Sequence, residues 1–241
     1  MALLTGQEPA NNRRRTYHVH VPDTPPRALV PAIIVFHGGG QDATTIARRW
    51  RIDPPNPVPG ALADYLLVFP DADRGLGDEW VHLQPGDGHF PTYDLDFVEA
   101  LLAELTTRLY PTGSAAVPDV SADPDHVYAA GFSNGGGMVW QLMNSDLVSA
   151  FRGFAAVGKA LDPEKAEEFR KHLAAGNQPP AVPVMYVHGT ADRGFRPPFT
   201  LEEFPLDTTL PAFTVREMAD RNGFVTSVPA ATQLVAGSTT E

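Results

Sequence analysis

Gly131-Phe132-Ser133-Asn134-Gly135 is the stretch that most narrows what this chain can become. Ahead of it, His126 to Ala130 is mostly apolar or β-favouring and reads as a buried strand. Behind it, Met138, Val139, Leu142 and Met143 recur at helical spacing. Ser133 therefore falls where a strand turns sharply into a helix, the Gly-x-Ser-x-Gly pattern of a nucleophile elbow. A serine hydroxyl is a weak nucleophile unless the backbone pushes it out of the fold toward a base, which requires a tight turn with strained φ/ψ at the serine. Residues without a Cβ let the strand and helix approach, a role for Gly131 and Gly135 that Gly136 and Gly137 extend. Each glycine at a helix start costs about 0.5–1 kcal/mol relative to alanine, so three in a row serve something other than helix stability. A chance match of so short a pattern is the rival reading, and the flanking strand and helix argue against it.

The chain has 241 residues, 43% of them hydrophobic and 20% charged, enough for one globular domain over 1–241 with a sizeable core. No run approaches the roughly 18 consecutive apolar residues of a membrane span. Met1-Ala2-Leu3-Leu4 is too short an apolar run, and on the wrong side of Arg13-Arg14-Arg15, for a signal peptide. The protein is expected to stay inside the cell or to begin after a removed leader. A net charge of −11 opposes binding to nucleic acid or anionic membranes, and the arginine triplet reads as a solvated arm. The chain has no cysteine, so disulfides, thiolate metal sites and the Cys-His branch of acyl-transfer enzymes are excluded.

Thr16 to Val21 alternates apolar and polar residues like a half-buried strand, with His18 and His20 on its polar side rather than ligating a metal. Ala32-Ile33-Ile34-Val35-Phe36 is a continuous apolar run, typical of a parallel strand covered on both faces. It ends in His37-Gly38-Gly39-Gly40-Gln41, where three glycines leave backbone N–H groups free to face a ligand, as in an oxyanion hole; a plain tight turn would not need three. His37 reads as a structural hydrogen bonder. Asp42 can cap a helix from Ala43 to Trp50, and Tyr65 to Pro70 is another buried strand. The irregular segment Arg74 to Thr92, carrying Trp80, His82, His89 and Phe90, has the length of a loop that lines an active site. Asp94 reads as the N-cap of a helix whose stripe is Phe97, Val98, Leu101, Leu102, Leu105 and Leu109. A linker from Pro111 to Pro124 then leads to the Ser133 strand, completing a strand-helix-strand unit with parallel strands. Gly153 to Val157 and Pro183 to Val187 read as strands, Pro163 to Leu173 and Leu210 to Asn222 as helices, and Gln233-Leu234-Val235 as the start of a last strand. Asp192, on the loop after a late strand, stands where a triad's acid belongs; alternatively it is an Asx-turn residue.

With these anchors placed, the chain resembles the polyhydroxybutyrate-depolymerase-like esterases, a group that also takes in feruloyl and acetylxylan esterases of the α/β-hydrolase fold. The resemblance runs from about Thr16 to Gly223. It rests on His37-Gly38-Gly39-Gly40-Gln41, on Asp94-Leu95-Asp96-Phe97-Val98, on Val127 to Met138 and on His188-Gly189-Thr190-Ala191-Asp192. It implies an α/β fold with a mostly parallel central sheet flanked by helices, and an acyl-enzyme formed on Ser133 from a small-molecule or polymeric ester. It further implies Asp192 as the acid that orients the base, an oxyanion hole from the Asn134 N–H and an N–H of Gly39 or Gly40, and an extracellular location, with cytoplasmic as the alternative. Trp80, His89 and Phe195 are candidates to line the substrate cleft, with Phe90, Trp140 and Phe199 as further aromatic candidates; the alternative is that the aromatic residues belong to the core. No metal or organic cofactor is required.

The family's catalytic histidine follows the acid on the loop after the last strand, whereas here no histidine lies beyond His188. The expectation is a C-terminally shortened chain lacking the last strand and helix, nearly inert on esters, since loss of the base costs about 10⁶ in kcat. His89 and His82 are the available substitutes. Such a chain would also bare a sheet edge beside Pro183 to His188, inviting self-association. The competing reading is a non-catalytic hydrolase-fold protein that binds an acyl or aromatic ligand.

Overall fold

The computed structural model describes residues 2–7, 14–52, 58–73, 78–80, 93–161 and 181–189, together with Glu167, Thr214, Glu217 and Met218. Seven strands form one sheet: β1 (Ala2–Gln7), β2 (Arg14–His20), β3 (Leu29–Phe36), β4 (Leu66–Pro70), β5 (Ser121–Phe132), β6 (Gly153–Val157) and β7 (Val184–Val187). Their order is β1-β2-β4-β3-β5-β6-β7. The run β4-β3-β5-β6-β7 is parallel, and β1 and β2 join it antiparallel. The described helices are α1 (Ala43–Arg49), α2 (Tyr93–Thr107) and α3 (Asn134–Met143).

The strand order explains where the helices go. From β3 the chain moves one way to β4, then crosses back over β3 to β5 and continues in that direction to β6. Right-handed crossovers in opposite directions place their helices on opposite faces of a sheet. Accordingly, α1 buries Ala43, Ile46 and Ala47 against Val35, Leu67, Phe69 and Ala130. On the other face, α2 and α3 bury Phe97, Val98, Leu101, Leu105, Met138, Val139 and Leu142 against Ile34, Phe36, Leu66, Val68, Val127 and Ala129. Alternate residues of one strand thus serve two cores, which is why β3 and β4 read as unbroken apolar runs. The direction reverses between β3 and β5, and open α/β sheets bind ligands in the crevice outside the carboxyl ends of strands at such a point. The last registered pair of these strands is Phe36 with Gly131, so the glycine loop and the Ser133 turn emerge side by side.

Several expectations hold and several need correction. Asp42 caps α1, accepting from the Thr45 N–H at 2.7 Å, and hydrogen bonding from Thr45 holds its carboxyl below the usual range. Asp94, by contrast, is not an N-cap: α2 already begins at Tyr93, and Asp94 is buried in its first turn. Its partner is Arg15 at 2.5 Å, with the two side chains 1% and 3% exposed. Arg15 therefore does not belong to a solvated arm; its guanidinium lies 4.7 Å from the Phe97 ring centre. Leu109 lies past the end of α2 and is exposed, while Tyr110 turns inward and bonds Val120, so the expected linker is ordered well before Pro124. β5 starts at Ser121 and bulges where Pro124 cannot donate to the ladder, the pairing jumping from Val30–Ala122 to Ala32–Val127. The residues read as a short apolar run at the N-terminus form the strand β1. β7 ends the sheet among the described residues, with Met185 and Val187 exposed on it. The expected helix Pro163 to Leu173 lies outside the described residues except for Glu167, and that from Leu210 to Asn222 except for Thr214, Glu217 and Met218, all four of which are helical. Gln233-Leu234-Val235 lies outside them altogether.

Candidate active site

Ser133 occupies φ 53°, ψ −116°, a conformation that costs a non-glycine residue of order 1–3 kcal/mol. The surroundings hold it there. Its N–H donates to Val157 O at 2.8 Å, tying the turn to β6, and its carbonyl accepts from the Gly137 N–H at 3.2 Å as α3 begins. The flanking glycines are required by space. A Cβ on Gly131 would stand 2.1 Å from Gly135 O, and one on Gly135 would stand 2.3 Å from Phe36 O and 2.6 Å from His37 O. No side chain fits at either position, because each obstacle is backbone. Gly136 meets the Lys159 Cβ at 2.9 Å, so α3 also presses on the end of β6. The strained turn and the close approach anticipated from the glycine pattern are both present.

The glycine loop after β3 is anchored by His37, which is fully buried. Its Nε2 accepts from the Ala72 N–H at 3.0 Å, which assigns the ring proton to Nδ1, where it donates to Gly38 O at 2.8 Å. Both ring nitrogens are engaged in holding the loop. Gly40 adopts φ +64°, the left-handed region that glycine alone enters at little cost, and its N–H donates to Asp78 O at 3.2 Å. Gly39 is not in that region; its missing Cβ would sit 3.0 Å from Glu79 Oε1 and 3.6 Å from the Asn134 Cβ. Among the described residues the Gly39 N–H donates to no backbone carbonyl.

Residues 78–80 form a bridge between the two loops, which sequence reasoning missed. Asn134, the first residue of α3, accepts from the Trp80 N–H at 2.7 Å through Oδ1 and approaches Trp80 O at 3.4 Å through Nδ2. The Trp80 indole N–H donates to His37 O at 3.0 Å, and its ring meets Phe36 edge-on at 5.0 Å. A primary amide can donate and accept at once, so an asparagine directly after the serine was the available signal. Trp80 is 1% exposed. It supports both loops from beneath, and the expectation that it lines a cleft is corrected. Phe132, before the serine, fills the gap between Gly38 and Gly158, at 3.3 and 3.4 Å from their would-be Cβ positions, and carries the Arg49 guanidinium over its ring.

Ser133, Asn134, Gly39 and Gly40 thus converge at the carboxyl ends of β3 and β5, with the serine and asparagine half-buried and the two glycines exposed. Helix α3 points its N-terminus, the positive end of its dipole, at this place. A hydroxyl on a sharp bend beside backbone donors is equipped for acyl transfer. Asp192, His82, His89, Phe90, Phe195 and Phe199 lie outside the described residues. Trp140 is buried, donating its indole N–H to Lys159 O, and belongs to the core. Among the described residues no imidazole bonds the Ser133 hydroxyl, and no group of three or more metal-ligating side chains occurs.

Sheet order, crossover pattern and strained serine turn are those of the α/β-hydrolase fold. No protein-family model matches the chain. In sequence it is 30% identical over 204 residues to "Putative esterase NocK" of Nocardia uniformis subsp. tsuyamanensis, a match covering 81% of this chain and 50% of that protein. The chain thus spans about half the length of this curated relative. Among solved structures, a thermostable esterase superposes with a TM-score of 0.56 at 14% identity, over 92% of this chain and 51% of the other. A mutant of the feruloyl esterase module from Clostridium thermocellum, complexed with sinapinate, superposes with a TM-score of 0.50 at 14% identity, over 95% and 74%. At such identities these structures share the fold.

Proposed function

We propose that the protein is a serine carboxylic-ester hydrolase that forms an acyl-enzyme on Ser133. The observation carrying this is the backbone at that residue: a serine held at φ 53° by glycines that cannot be replaced, at the switch point of the sheet and beside a glycine loop. In the proposed reaction, the Ser133 oxygen attacks the ester carbonyl as its proton passes to a base. The carbonyl oxygen, now anionic, is met by the N–H groups of Asn134 and Gly39. Gly39 is preferred to Gly40 as donor because the Gly40 N–H is engaged by Asp78 O. Collapse of this intermediate expels the alcohol, and water then releases the acid by the reverse sequence. Asp192 is assigned to orient the base, with His89 or His82 as candidates for it, and Phe195 and His89 to contact substrate. Esters of hydroxycinnamic acids, acetylated polysaccharides or polyhydroxyalkanoates are the substrate classes suggested by the sequence resemblance, with an extracellular site of action.

A fluorophosphonate probe followed by peptide mapping tests this. One adduct is expected, on the peptide containing Ser133, and none on Ser133→Ala. An unlabelled wild-type protein, or a label that survives the substitution, would sink the reading. A second reading, a hydrolase-fold protein that binds acyl or aromatic ligands without turnover, is favoured by the finding that among the described residues no imidazole bonds the Ser133 hydroxyl. Tight binding of a ferulate-type acid without Ser133-dependent acylation would support it.

A further inference from the structure

We propose that Glu79 is a specificity-determining residue that selects substrates carrying a cationic group, an ammonium or guanidinium, next to the ester; this rests on the esterase reading above. The backbone that presents Glu79 is fixed on both sides. Asp78 O receives the Gly40 N–H, and Trp80 is clasped by Asn134 and bonded through its indole to His37 O. The intervening side chain is exposed, and its carboxylate is aimed at the gap between the two loops, where Oε1 lies 3.0 Å from the point a Gly39 Cβ would occupy. The Asn134 Cβ lies 3.6 Å from the same point. Gly39 has no left-handed φ, and a Cβ there would press on this carboxylate, which would have to shift by a few tenths of an ångström.

A negative charge in that position works against the chemistry unless something neutralises it. The tetrahedral intermediate places a second negative charge between the Gly39 and Asn134 donors, and like charges a few ångströms apart repel. Among the described residues no Lys, Arg or His pairs with Glu79. A cationic substrate supplies the missing counter-charge, and neutral or anionic substrates do not. The preference is therefore electrostatic and located at one side chain, and it weakens with salt.

Two isosteric probes separate this from the esterase reading: 3-(trimethylammonio)phenylboronic acid and 3-tert-butylphenylboronic acid. Each forms a bond from Ser133 Oγ to boron, releasing the serine proton to solvent and leaving a tetrahedral boronate anion that stands in for the intermediate. Binding is measured by calorimetry at low salt on wild type, Glu79→Gln, Glu79→Lys and Ser133→Ala. The wild type is expected to favour the cationic boronate, in part because the electron-withdrawing ammonium stabilises the tetrahedral anion on every variant, so the role of Glu79 is read from the change in this ratio. Glu79→Gln should lower that ratio by about fivefold or more while binding the neutral boronate more tightly, and Glu79→Lys should lower it further. Because both ligands are compared on the same variant, partial unfolding does not mimic this result. An equal ratio in wild type and Glu79→Gln overturns the role of Glu79 and leaves the esterase reading standing. Boronates that bind wild type no better than Ser133→Ala overturn both.

Discussion

Replacing Asp94 with alanine removes the carboxylate that pairs with the Arg15 guanidinium inside the protein, next to Phe97 and Trp80 and away from water. The two side chains of this ion pair are 3% and 1% exposed, so neither charge recovers its hydration if the other is removed. Breaking a buried pair from one side costs about 3–5 kcal/mol. The Phe97 ring at 4.7 Å and the Trp80 ring at 6.0 Å offset part of this through their π faces, which places Asp94→Ala at the lower end, near 3 kcal/mol by the same scale. Arg15→Ala forfeits those ring contacts as well as the ion pair with a 1% exposed carboxylate, so it belongs at the upper end. For a chain of this size each kcal/mol moves Tm by about 2–4 °C, giving losses of roughly 6–20 °C across the two variants. The double replacement Arg15→Met with Asp94→Leu removes both desolvation costs and is expected to be neutral or stabilising by about 1–4 kcal/mol. Urea unfolding of all four proteins, followed by circular dichroism with the slope m checked for constancy, measures these differences, and the single variants Arg15→Met and Asp94→Leu complete the cycle that yields the coupling energy. Additive losses in the double variant, or a loss below about 0.5 kcal/mol for Asp94→Ala, would refute a buried and mutually dependent pair.

Two further outcomes follow from other features. Gly131→Ala and Gly135→Ala should each prevent stable folding or lower Tm by more than about 6 °C on the scale of about 3 kcal/mol or more, since the new methyl meets backbone rather than a movable side chain. Gly60→Ala, which meets nothing within 4 Å, should be neutral or slightly stabilising, and equal Tm values for the three would contradict the close approach. The Tyr17 and Tyr110 hydroxyls lie 3.3 Å apart, and burial raises the pKa of each above the usual 10.0. The unfolded chain then loses these protons first as pH rises, so their contribution is complete below about pH 10 and lost above it. Tm measured from pH 8.5 upward should fall more steeply in the wild type than in Tyr17→Phe; parallel curves would remove this assignment.

Much of this was readable from the chain because it depends on periodicity and on residues with no side chain. The buried parallel strands β3, β4 and β6 announced themselves as unbroken apolar runs, and the elbow announced itself through Gly131 and Gly135, whose necessity is steric and local. What escaped depends on partners far apart in sequence. Nothing around Arg15 tells it from its neighbours in the arginine triplet; only the arrival of α2 supplies Asp94 and removes the solvent. Trp80 read as a cleft aromatic because its loop lacks periodicity, yet its N–H and indole are consumed by Asn134 and His37. Glu79 gave no signal at all until its neighbour Gly39 was seen to leave room for it. The strand β1 was overlooked because a short apolar run is ambiguous until β2 provides an edge to pair with.

The bridge at residues 78–80 also bears on how such a protein is made. Its two attachments lie 43 and 54 positions away along the chain, at His37 and Asn134, and the pair that backs it joins Arg15 to Asp94. Contacts of such long sequence separation form late, after the entropy of closing the intervening loops has been overcome. A nascent chain that has emerged only through β4 carries the glycine loop but no serine to serve it. Assembly of the corner that holds Ser133 beside the glycine loop thus coincides with completion of the sheet centre, and a chain that stops short of β5 does not contain it.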